Sequence, residues 1–351
     1  MPHSGFVSRE AISSWLDSLM NQATLIAPHW VDDVLLYRQL SSSEDIVWEF
    51  TRPVLSIKEF FLPPTERLLT IEKIGAQIKL AETFSTTKQV LFGVRPCEAR
   101  GIRLLDALFL EDAPVDPYYA ERRKNTAIIG LACEQPGDTC FCTSVGGAPD
   151  DPRDVDVMLY TLDDGYSMEV VTEKGRGLVE QMGVEPETTQ AGGSTKKGSS
   201  FDVRHSSFVD LPEISKWPTF FAAPYWEEMA ERCLSCRICA YVCPTCRCFD
   251  VRDEVASDGS IERLRCWDSC AGAAYRRIAG GHNPRSTKGE RLRNRFFCKF
   301  YYYPRQYGIN SAACTGCGRC IDYCPVGIDV TEVVNHLSNL SELVMGESGE
   351  R

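Results

Sequence analysis

A run of four cysteines closed by a proline occurs twice in this 351-residue chain, and it constrains the fold more than any other feature. Both copies have the spacing C-x2-C-x2-C-x3-C-P, ending at Pro244 and at Pro325. The cysteines of the two runs are Cys233, Cys236, Cys239, Cys243, Cys314, Cys317, Cys320 and Cys324. A hydrophobic core does not require thiols at fixed intervals, so the spacing predicts a chemical function for them.

The composition and the start of the chain exclude several other uses of these thiols. The chain has seventeen cysteines, 43% hydrophobic and 25% charged residues, and no apolar run near the ~20 residues of a membrane helix. Its start, MPHSGFVSREAISSW, lacks the basic-then-apolar order of a secretory signal. We therefore expect a cytosolic protein that does not contact the membrane. Disulfides are rare in that compartment, and the odd cysteine count also argues against full pairing.

The spacing of the two runs indicates which metal they bind. Three cysteines separated by two residues can surround one corner of a [4Fe-4S] cubane, while the fourth, before the proline, points to the other cluster. The predicted ligands of the first cluster are Cys233, Cys236, Cys239 and Cys324. The predicted ligands of the second cluster are Cys314, Cys317, Cys320 and Cys243. Structural zinc sites usually pair two C-x2-C knuckles, so iron–sulfur is favoured over zinc.

Four further cysteines lie in the N-terminal half, just past predicted strands. The segment KQVLFGVRPCEARGIRLLDALFLED indicates a strand, a turn at Cys97 and a helix. The segment NTAIIGLACEQPGDTCFCTS indicates a strand followed by a loop with Cys133, Cys140 and Cys142. Loops after the strands of an α/β sheet bind ligands, and four thiols is the number that a cubane requires. We favour a third [4Fe-4S] cluster here over four unconnected buried thiols or a zinc site.

The order of predicted elements gives the fold class. DVMLYTLDDGYSMEVVTEKGRGLVEQM indicates a hairpin and a helix, which together with the strands above predicts an N-terminal α/β domain with a mixed sheet over residues 1–215. About 70 residues separate the two cysteine runs; they include the helix-like CWDSCAGAAYRRIAGG, and the periodic VTEVVNHLSNL follows the second run. We therefore predict an α+β protein whose residues 216–351 form a helical dicluster ferredoxin-like domain. The segment 185–200, EPETTQAGGSTKKGSS, is predicted to be a flexible surface segment.

Five cysteines in or near the predicted dicluster domain have no place in this assignment. They are Cys246, Cys248, Cys266, Cys270 and Cys298. Such residues either ligate a further metal site or pack as small buried side chains around the clusters. The sequence leaves both interpretations open.

A basic stretch separates the two cysteine runs. Residues 275–299 carry Arg276, Arg277, Arg285, Lys288, Arg291, Arg293 and Arg295. Basic residues near aromatic ones can bind nucleic acid, but they can also stabilise anionic clusters or dock a partner protein. The net charge of −11 favours the second interpretation and predicts no nucleic-acid partner.

Several expected motifs are missing from the sequence. It contains no G-x-G-x-x-G after a strand, no phosphate-binding G-x-x-x-x-G-K-[ST], no H-E-x-x-H and no nucleophile–base arrangement. With several one-electron centres and no substrate site in view, the chain is predicted to relay electrons between partners through three [4Fe-4S] clusters. The alternatives are a self-contained reductase of a disulfide or sulfur species, and an iron–sulfur protein that binds nucleic acid.

Six segments taken together resemble a known family. They are FGVRPCEARGI (92–102), ACEQPGDTCFCTSVGG (132–147), CPTCRCFDV (243–251), WDSC (267–270), AGGHNPR (279–285) and CTGCGRCIDYCPVGID (314–329). They resemble the iron–sulfur β subunit of soluble sulfhydrogenases, and the corresponding iron–sulfur subunit of anaerobic sulfite reductase is similar.

The resemblance extends from about residue 30 to residue 330 and carries an expectation of function. It implies a relay between a flavin- and [2Fe-2S]-containing, diaphorase-like partner that oxidises NAD(P)H and a catalytic subunit. The complex would be cytosolic and anaerobic, and hydrogenase-, sulfite reductase- and heterodisulfide reductase-like complexes could all use such a relay. The resemblance also implies a role for Cys246, Cys248 and Cys270, without defining that role.

Overall fold

The computed structural model describes residues 4–182, 209–309 and 311–348 of the chain, and the predicted surface segment 185–200 lies outside these ranges. The described residues form an α+β fold, as predicted, with two sheets and ten α-helices. In these ranges no helix combines the length and the apolar character that crossing a membrane requires.

The elements follow one another in a clear order. The strands are β1 (Ser4–Val7), β2 (Thr24–Val31), β3 (Val34–Gln39), β4 (Thr65–Ile74), β5 (Gln77–Glu82), β6 (Gln89–Val94), β7 (Thr126–Leu131), β8 (Val157–Leu162), β9 (Gly165–Val170), β10 (Phe249–Val255) and β11 (Ile261–Trp267). The helices are α1 (Arg9–Leu19), α2 (Pro96–Phe109), α3 (Pro117–Asn125), α4 (Glu173–Glu180), α5 (Tyr225–Arg232), α6 (Ile238–Tyr241), α7 (Lys288–Phe297), α8 (Tyr303–Gln306), α9 (Arg319–Asp322) and α10 (Val330–Ser348). A π-helical segment, Cys298–Tyr302, lies between α7 and α8.

The larger sheet has seven strands in the order β1-β9-β8-β7-β6-β2-β3. Its centre is parallel, because β2 pairs with β6, β6 with β7 and β7 with β8, while the outer strands pair antiparallel. Side chains alternate between two cores: Val90 and Phe92 of β6 pack on one face and Leu91 on the other. The sheet is therefore mixed and buried on both faces, as its apolar central strands require.

The order of strands in this sheet brings the N-terminal cysteine loops together. Strands β6 and β7 are parallel neighbours, with Gln89 opposite Thr126. Both therefore end at the same edge of the sheet, where β6 leads into Cys97 at the start of α2 and β7 leads into the loop that begins at Cys133. This placement agrees with the predicted meeting of the two loops.

The smaller sheet is antiparallel and has the order β10-β11-β4-β5. It joins strands from both sides of the predicted boundary at residue 215. The helical interpretation of residues 266–281 is wrong, because Cys266 and Trp267 complete β11 and turns follow them. Strand β11 pairs on one side with β10 and on the other with β4, which is distant in sequence. The helical prediction for residues 330–340 is confirmed by α10.

A buried ion pair joins strands β11 and β4 at the centre of the smaller sheet. Arg265 is 2% exposed, and its Nε donates to Glu66 Oε2 at 2.9 Å. Arg265 also pairs with Asp116, and Glu66 pairs with Arg122. The same two strands carry a second, partly exposed pair between Arg67 and Glu262 at 2.5 Å. The two pairs thus differ in burial while connecting the same elements.

These two pairs predict unequal effects on stability. Glu66→Ala breaks the buried pair and leaves Asp116 as the remaining carboxylate partner of Arg265, and we expect it to lower the free energy of unfolding by about 3 kcal/mol. The matched variant Glu262→Ala removes a partly solvated pair and should cost less than about 1 kcal/mol. Anaerobic urea titration of both variants measures the difference. Equal effects of the two substitutions would contradict this account.

Candidate iron–sulfur centres

The two cysteine runs adopt the same backbone conformation. In the first run Ser235 and Arg237 have φ values of 54° and 70°; in the second run Gly316 and Gly318 have values of 64° and 75°. These residues lie two and four positions after the first cysteine of each run. The N–H of Ser235 donates to Cys233 Sγ at 3.3 Å, and the N–H of Gly316 donates to Cys314 Sγ at 3.5 Å. The repeated spacing in the sequence is therefore a repeated loop in the structure.

The glycines of the second run allow close contact with the N-terminal cysteine loop. A Cβ on Gly316 would lie 2.5 Å from the backbone nitrogen of Cys142, and one on Gly318 would lie 2.2 Å from Thr139 Oγ1. The N–H of Phe141 also donates to the carbonyl oxygen of Gly316 at 2.8 Å. Side chains cannot be accommodated at these two positions. The first run carries side chains at the equivalent positions, at about 1–2 kcal/mol of left-handed backbone strain each.

The fourth cysteine of the first run lies with the second run. The thiols of Cys314 and Cys320 both interact electrostatically with the Cys243 thiol. Cys239 and Cys320 lie on the short helices α6 and α9, which pack against each other and so bring the two runs together. This arrangement agrees with the predicted exchange of Cys243.

The segment after Cys324 lies against the start of the first run. Arg232, directly before Cys233, donates to the carbonyl oxygen of Gly327 at 2.5 Å and pairs with Glu332 at 3.3 Å. The N–H of Ile328 donates to Cys324 Sγ at 3.2 Å. The thiols of Cys233 and Cys236 interact electrostatically with that of Cys239, so the first run is itself assembled. The segment that contains Cys324 thus lies close to the first run, as expected if Cys324 is a ligand of the first cluster.

The structure brings the four N-terminal cysteines together. The Cys142 thiol interacts with those of Cys140 and Cys133, and the Cys97 thiol interacts with that of Cys142. Cys317 of the second run interacts with both Cys97 and Cys140, and Cys140 Sγ lies 3.8 Å from the carbonyl oxygen of Cys317. The N-terminal group is therefore a neighbour of the second run.

A fully buried ion pair connects these two neighbouring groups. Glu98 follows Cys97 and Arg319 precedes Cys320, and their side chains pair at 0% exposure. Glu98 Oε2 also accepts from Ser56 Oγ at 2.7 Å and from the N–H of Ile57 at 2.9 Å. Because a buried charge is stable only when it is paired and hydrogen-bonded, this contact holds the two cysteine loops in one position.

Buried cations lie directly beside the cysteine sulfurs. Lys299 Nζ donates to Cys243 Sγ at 3.2 Å, and Arg52 Nη1 donates to Cys140 Sγ at 2.9 Å. Arg295 is 5% exposed, and the thiols of Cys239 and Cys320 are the side chains that interact with it most strongly. In the described part of the chain neither Lys299 nor Arg295 pairs with a carboxylate. Their compensating charge must come from the cysteine groups themselves.

The pKa values of these groups follow from burial and charge. Burial raises the pKa of Cys142 and Cys320 to about 12 and that of Cys314 to about 11. Burial lowers the pKa of Lys299, but the thiols of Cys243 and Cys246 outweigh it and raise that pKa well above its ordinary value. Metal ligation requires thiolates, so a bound cluster would displace the thiol protons and supply the anion that Lys299 favours.

The residues present fit anionic iron–sulfur clusters. Among the described residues, the buried polar atoms beside the runs that have no hydrogen-bond partner include Arg295 Nε and Thr315 Oγ1. Within the described ranges, no three His, Cys, Asp or Glu side chains are arranged around a single metal ion. The fit therefore rests on the number and chemistry of the thiols and on the buried cations around them.

Of the buried cations in these centres, Arg295 was named in the sequence analysis and the others were not. Arg295 belongs to the basic stretch 275–299, for which local electrostatics was favoured, and it does lie between the two runs. Arg319 stands inside C-G-R-C and Lys299 directly follows Cys298, so proximity to cysteine in the sequence could have indicated both. Arg52 and Lys58 lie far from any cysteine in the sequence, and no local pattern identifies them.

The comparisons with known proteins agree with this geometry. A family model described as a 4Fe-4S dicluster domain matches residues 232–328, which include both cysteine runs. The chain is 34% identical over 311 residues to sulfhydrogenase 2 subunit beta of Pyrococcus furiosus, a match that covers 86% of this chain and 88% of that relative. No solved structure matches the chain significantly. The match to nearly the whole length of the relative confirms the resemblance noted from the six segments. The chain therefore belongs to the sulfhydrogenase β-subunit family and carries a 4Fe-4S dicluster domain.

Proposed function

We propose that this chain is the electron-transfer subunit of a cytosolic oxidoreductase complex and relays electrons through three [4Fe-4S] clusters. The observation that carries the proposal is the series formed by the three cysteine groups. The first run adjoins the second, where α6 packs on α9 and Cys243 neighbours Cys314, and the second run adjoins the N-terminal group, where Cys140 Sγ lies 3.8 Å from the carbonyl oxygen of Cys317. Successive one-electron transfers require centres that are neighbours in a series.

The proposed ligand sets keep the exchange of the fourth cysteine. The first cluster is bound by Cys233, Cys236, Cys239 and Cys324, and the second by Cys314, Cys317, Cys320 and Cys243. The third is bound by Cys97, Cys133, Cys140 and Cys142. The first two belong to residues 216–351 and the third to residues 1–215, which we retain as the two domains.

The side chains around the clusters set their electrostatic environment. When bound, such clusters supply reversible one-electron transfer. Lys299, Arg295 and Arg52 place buried positive charge beside the sulfurs, which favours the reduced, more negative state. Burial of the second group excludes water from the middle of the series; Cys317, for example, is 8% exposed.

The first group lies near the surface and offers a contact for a partner. Cys236 is exposed, and so are the apolar side chains of Leu234, Ile238 and Tyr323. The relative is named as one subunit of a sulfhydrogenase, which indicates a multi-subunit enzyme. We propose that two partner proteins contact opposite ends of the series. One is a flavin- and [2Fe-2S]-containing, NAD(P)H-linked, diaphorase-like partner, and the other is the catalytic subunit.

Anaerobic purification through a tag on this chain tests the function. We expect two partners to co-purify, one that contains flavin and one that is catalytic, and NAD(P)H to bleach the cluster absorbance of the complex. The isolated chain should not respond to NAD(P)H, because we propose that the flavin belongs to the partner. If the isolated chain instead reduces a disulfide or polysulfide with an artificial donor as fast as the complex does, the self-contained reductase is the correct alternative.

The third cluster predicts a change in iron content. Cys133→Ala should lower the iron and acid-labile sulfide of the purified chain by about four atoms each relative to the unmodified chain. The control Cys266→Ala, a cysteine outside the proposed ligand sets, should leave both values unchanged. An unmodified chain with about eight irons, unaffected by Cys133→Ala, would reduce the relay to two clusters.

The position of Arg295 predicts a shift in cluster potentials. Arg295→Met removes a buried positive charge between Cys239 and Cys320, so the reduced clusters lose stabilisation. We expect the potentials of the first and second clusters to become more negative by on the order of 50–100 mV. Arg293→Met is the matched control on α7, because Arg293 lies over the ring of Phe221 at 3.6 Å. Redox titrations followed by electron paramagnetic resonance (EPR) measure both, and equal shifts would contradict the assignment.

A further inference from the structure

Two cysteines outside the proposed relay meet at one end of the β10–β11 hairpin. Cys248 directly precedes β10 and Cys270 follows β11 by three residues. Phe249 pairs with Trp267 at this end, and the N–H of Asp268 donates to the carbonyl oxygen of Cys248 at 3.0 Å. The thiols of Cys248 and Cys270 are neighbours, and each shifts the pKa of the other. The hairpin thus places the cysteines of CPTCRC and WDSC side by side.

A third cysteine reaches the same place from a different element. Cys298 begins the π-helical segment after α7, and such widened turns are frequent at functional sites. Its Sγ accepts from Arg247 Nη2 at 3.3 Å, and its thiol interacts electrostatically with that of Cys270. Segments around residues 248, 270 and 298 therefore converge although they are distant in the sequence.

A fourth cysteine connects this group to the proposed second cluster. Cys246 is two residues before Cys248, and its thiol and that of Cys243 are neighbours that shift each other's pKa. Arg247, between Cys246 and Cys248, interacts electrostatically with the thiols of Cys298, Cys248 and Cys246. Three of the four thiols thus share one guanidinium group as a neighbour, and Cys246 adjoins a ligand of the second cluster.

Buried positive charge at this place has no carboxylate partner. Lys58 is 2% exposed, and its Nζ approaches the carbonyl oxygens of Ala240 and Tyr241 at 3.4 and 3.5 Å and the ring of Trp267 at 3.8 Å. Burial lowers the pKa of Lys58, and the neighbouring thiols of Cys246 and Cys243 oppose that shift. Arg247 lies over the ring of Tyr303 at 4.0 Å. In residues 4–182, 209–309 and 311–340, neither cation forms an ion pair with a carboxylate. Buried cations of this kind require an anion, which neutral thiols do not provide.

We propose that Cys246, Cys248, Cys270 and Cys298 bind a fourth [4Fe-4S] cluster, adjacent to the second one. Four thiols is the number that a cubane requires, and the single residue between Cys246 and Cys248 departs from the C-x2–4-C spacing usual for zinc. On binding, an assembled [4Fe-4S] cluster exchanges its four terminal thiolate ligands for the four cysteines: four Fe–Sγ bonds form, the four bonds to the earlier thiolates break, and these thiolates accept the four thiol protons with no change of oxidation state. The resulting anion compensates Lys58 and Arg247. The second cluster then has two neighbours besides the first, so the relay branches there.

Iron analysis of matched variants tests the fourth site. The double variant Cys248→Ala/Cys270→Ala removes two proposed ligands, and Cys266→Ala alters a cysteine of the same hairpin outside the proposed set. After anaerobic purification, we expect about sixteen irons per chain in the unmodified protein and in Cys266→Ala, and about twelve in the double variant. Zinc is measured in the same samples. EPR spectra of the dithionite-reduced double variant should lack one S = 1/2 signal.

Three results would overturn the fourth site. They are equal iron content in the unmodified chain and the double variant, loss of stoichiometric zinc in place of iron, and a Cys248–Cys270 disulfide in the anaerobically alkylated, unmodified chain. If the double variant does not fold, Cys298→Ser replaces it. The serine oxygen can replace the cysteine sulfur as a ligand, so this variant should retain its iron and show a changed EPR spectrum. An unchanged spectrum would reject the site. If the unmodified chain contains about twelve irons and the variants do not change that value, the fourth site is rejected and the three-cluster relay stands. If the unmodified chain contains almost no iron, the relay is rejected as well.

Discussion

The rest of this structure depends on buried positive charge placed against cysteine sulfur. Lys299 at Cys243 and Arg295 between Cys239 and Cys320 are buried cations whose close neighbours are thiols, whereas Arg52 at Cys140 also pairs with Asp322. Neutral thiols cannot offset the cost of burying a guanidinium or an ammonium group, but thiolate-bound clusters can. Folding and cluster binding are therefore expected to be coupled, since the same cations that tune a bound cluster destabilise the chain without it.

Two contacts fix the N-terminal cysteine group relative to the second run. One is the ion pair between Glu98 and Arg319, each directly beside a proposed ligand in the sequence. The other is the backbone contact at Gly316, where any side chain would overlap Cys142. Electron transfer requires a constant, short separation between centres, and these contacts provide it without a flexible connection. The shared antiparallel sheet adds a further link, because β4 and β11 come from opposite halves of the chain.

The two cysteine runs have the same loop but different surroundings, and the difference suits a relay. The second run is enclosed on one side by the N-terminal loop and needs glycine at its left-handed positions. The first run tolerates Ser235 and Arg237 there and leaves Cys236 exposed. In a series of one-electron centres, the middle centre should be closed to water. The end centre should be open to a partner, as the first run is.

The sequence by itself determined the features that local spacing encodes. The two cysteine runs, the strands before Cys97 and Cys133 and the helix at residues 330–340 all follow from short-range patterns, and each is present in the structure. Residues 266–281 were misread as helical, because β11 is stabilised by pairing with β4, almost 200 residues earlier in the chain. Only the tertiary structure showed that Lys58 and Arg52 lie against cysteines, and that Cys248, Cys270 and Cys298 meet. A buried cation and its sulfur partners come from separate segments, so no local pattern can reveal which charge compensates which site.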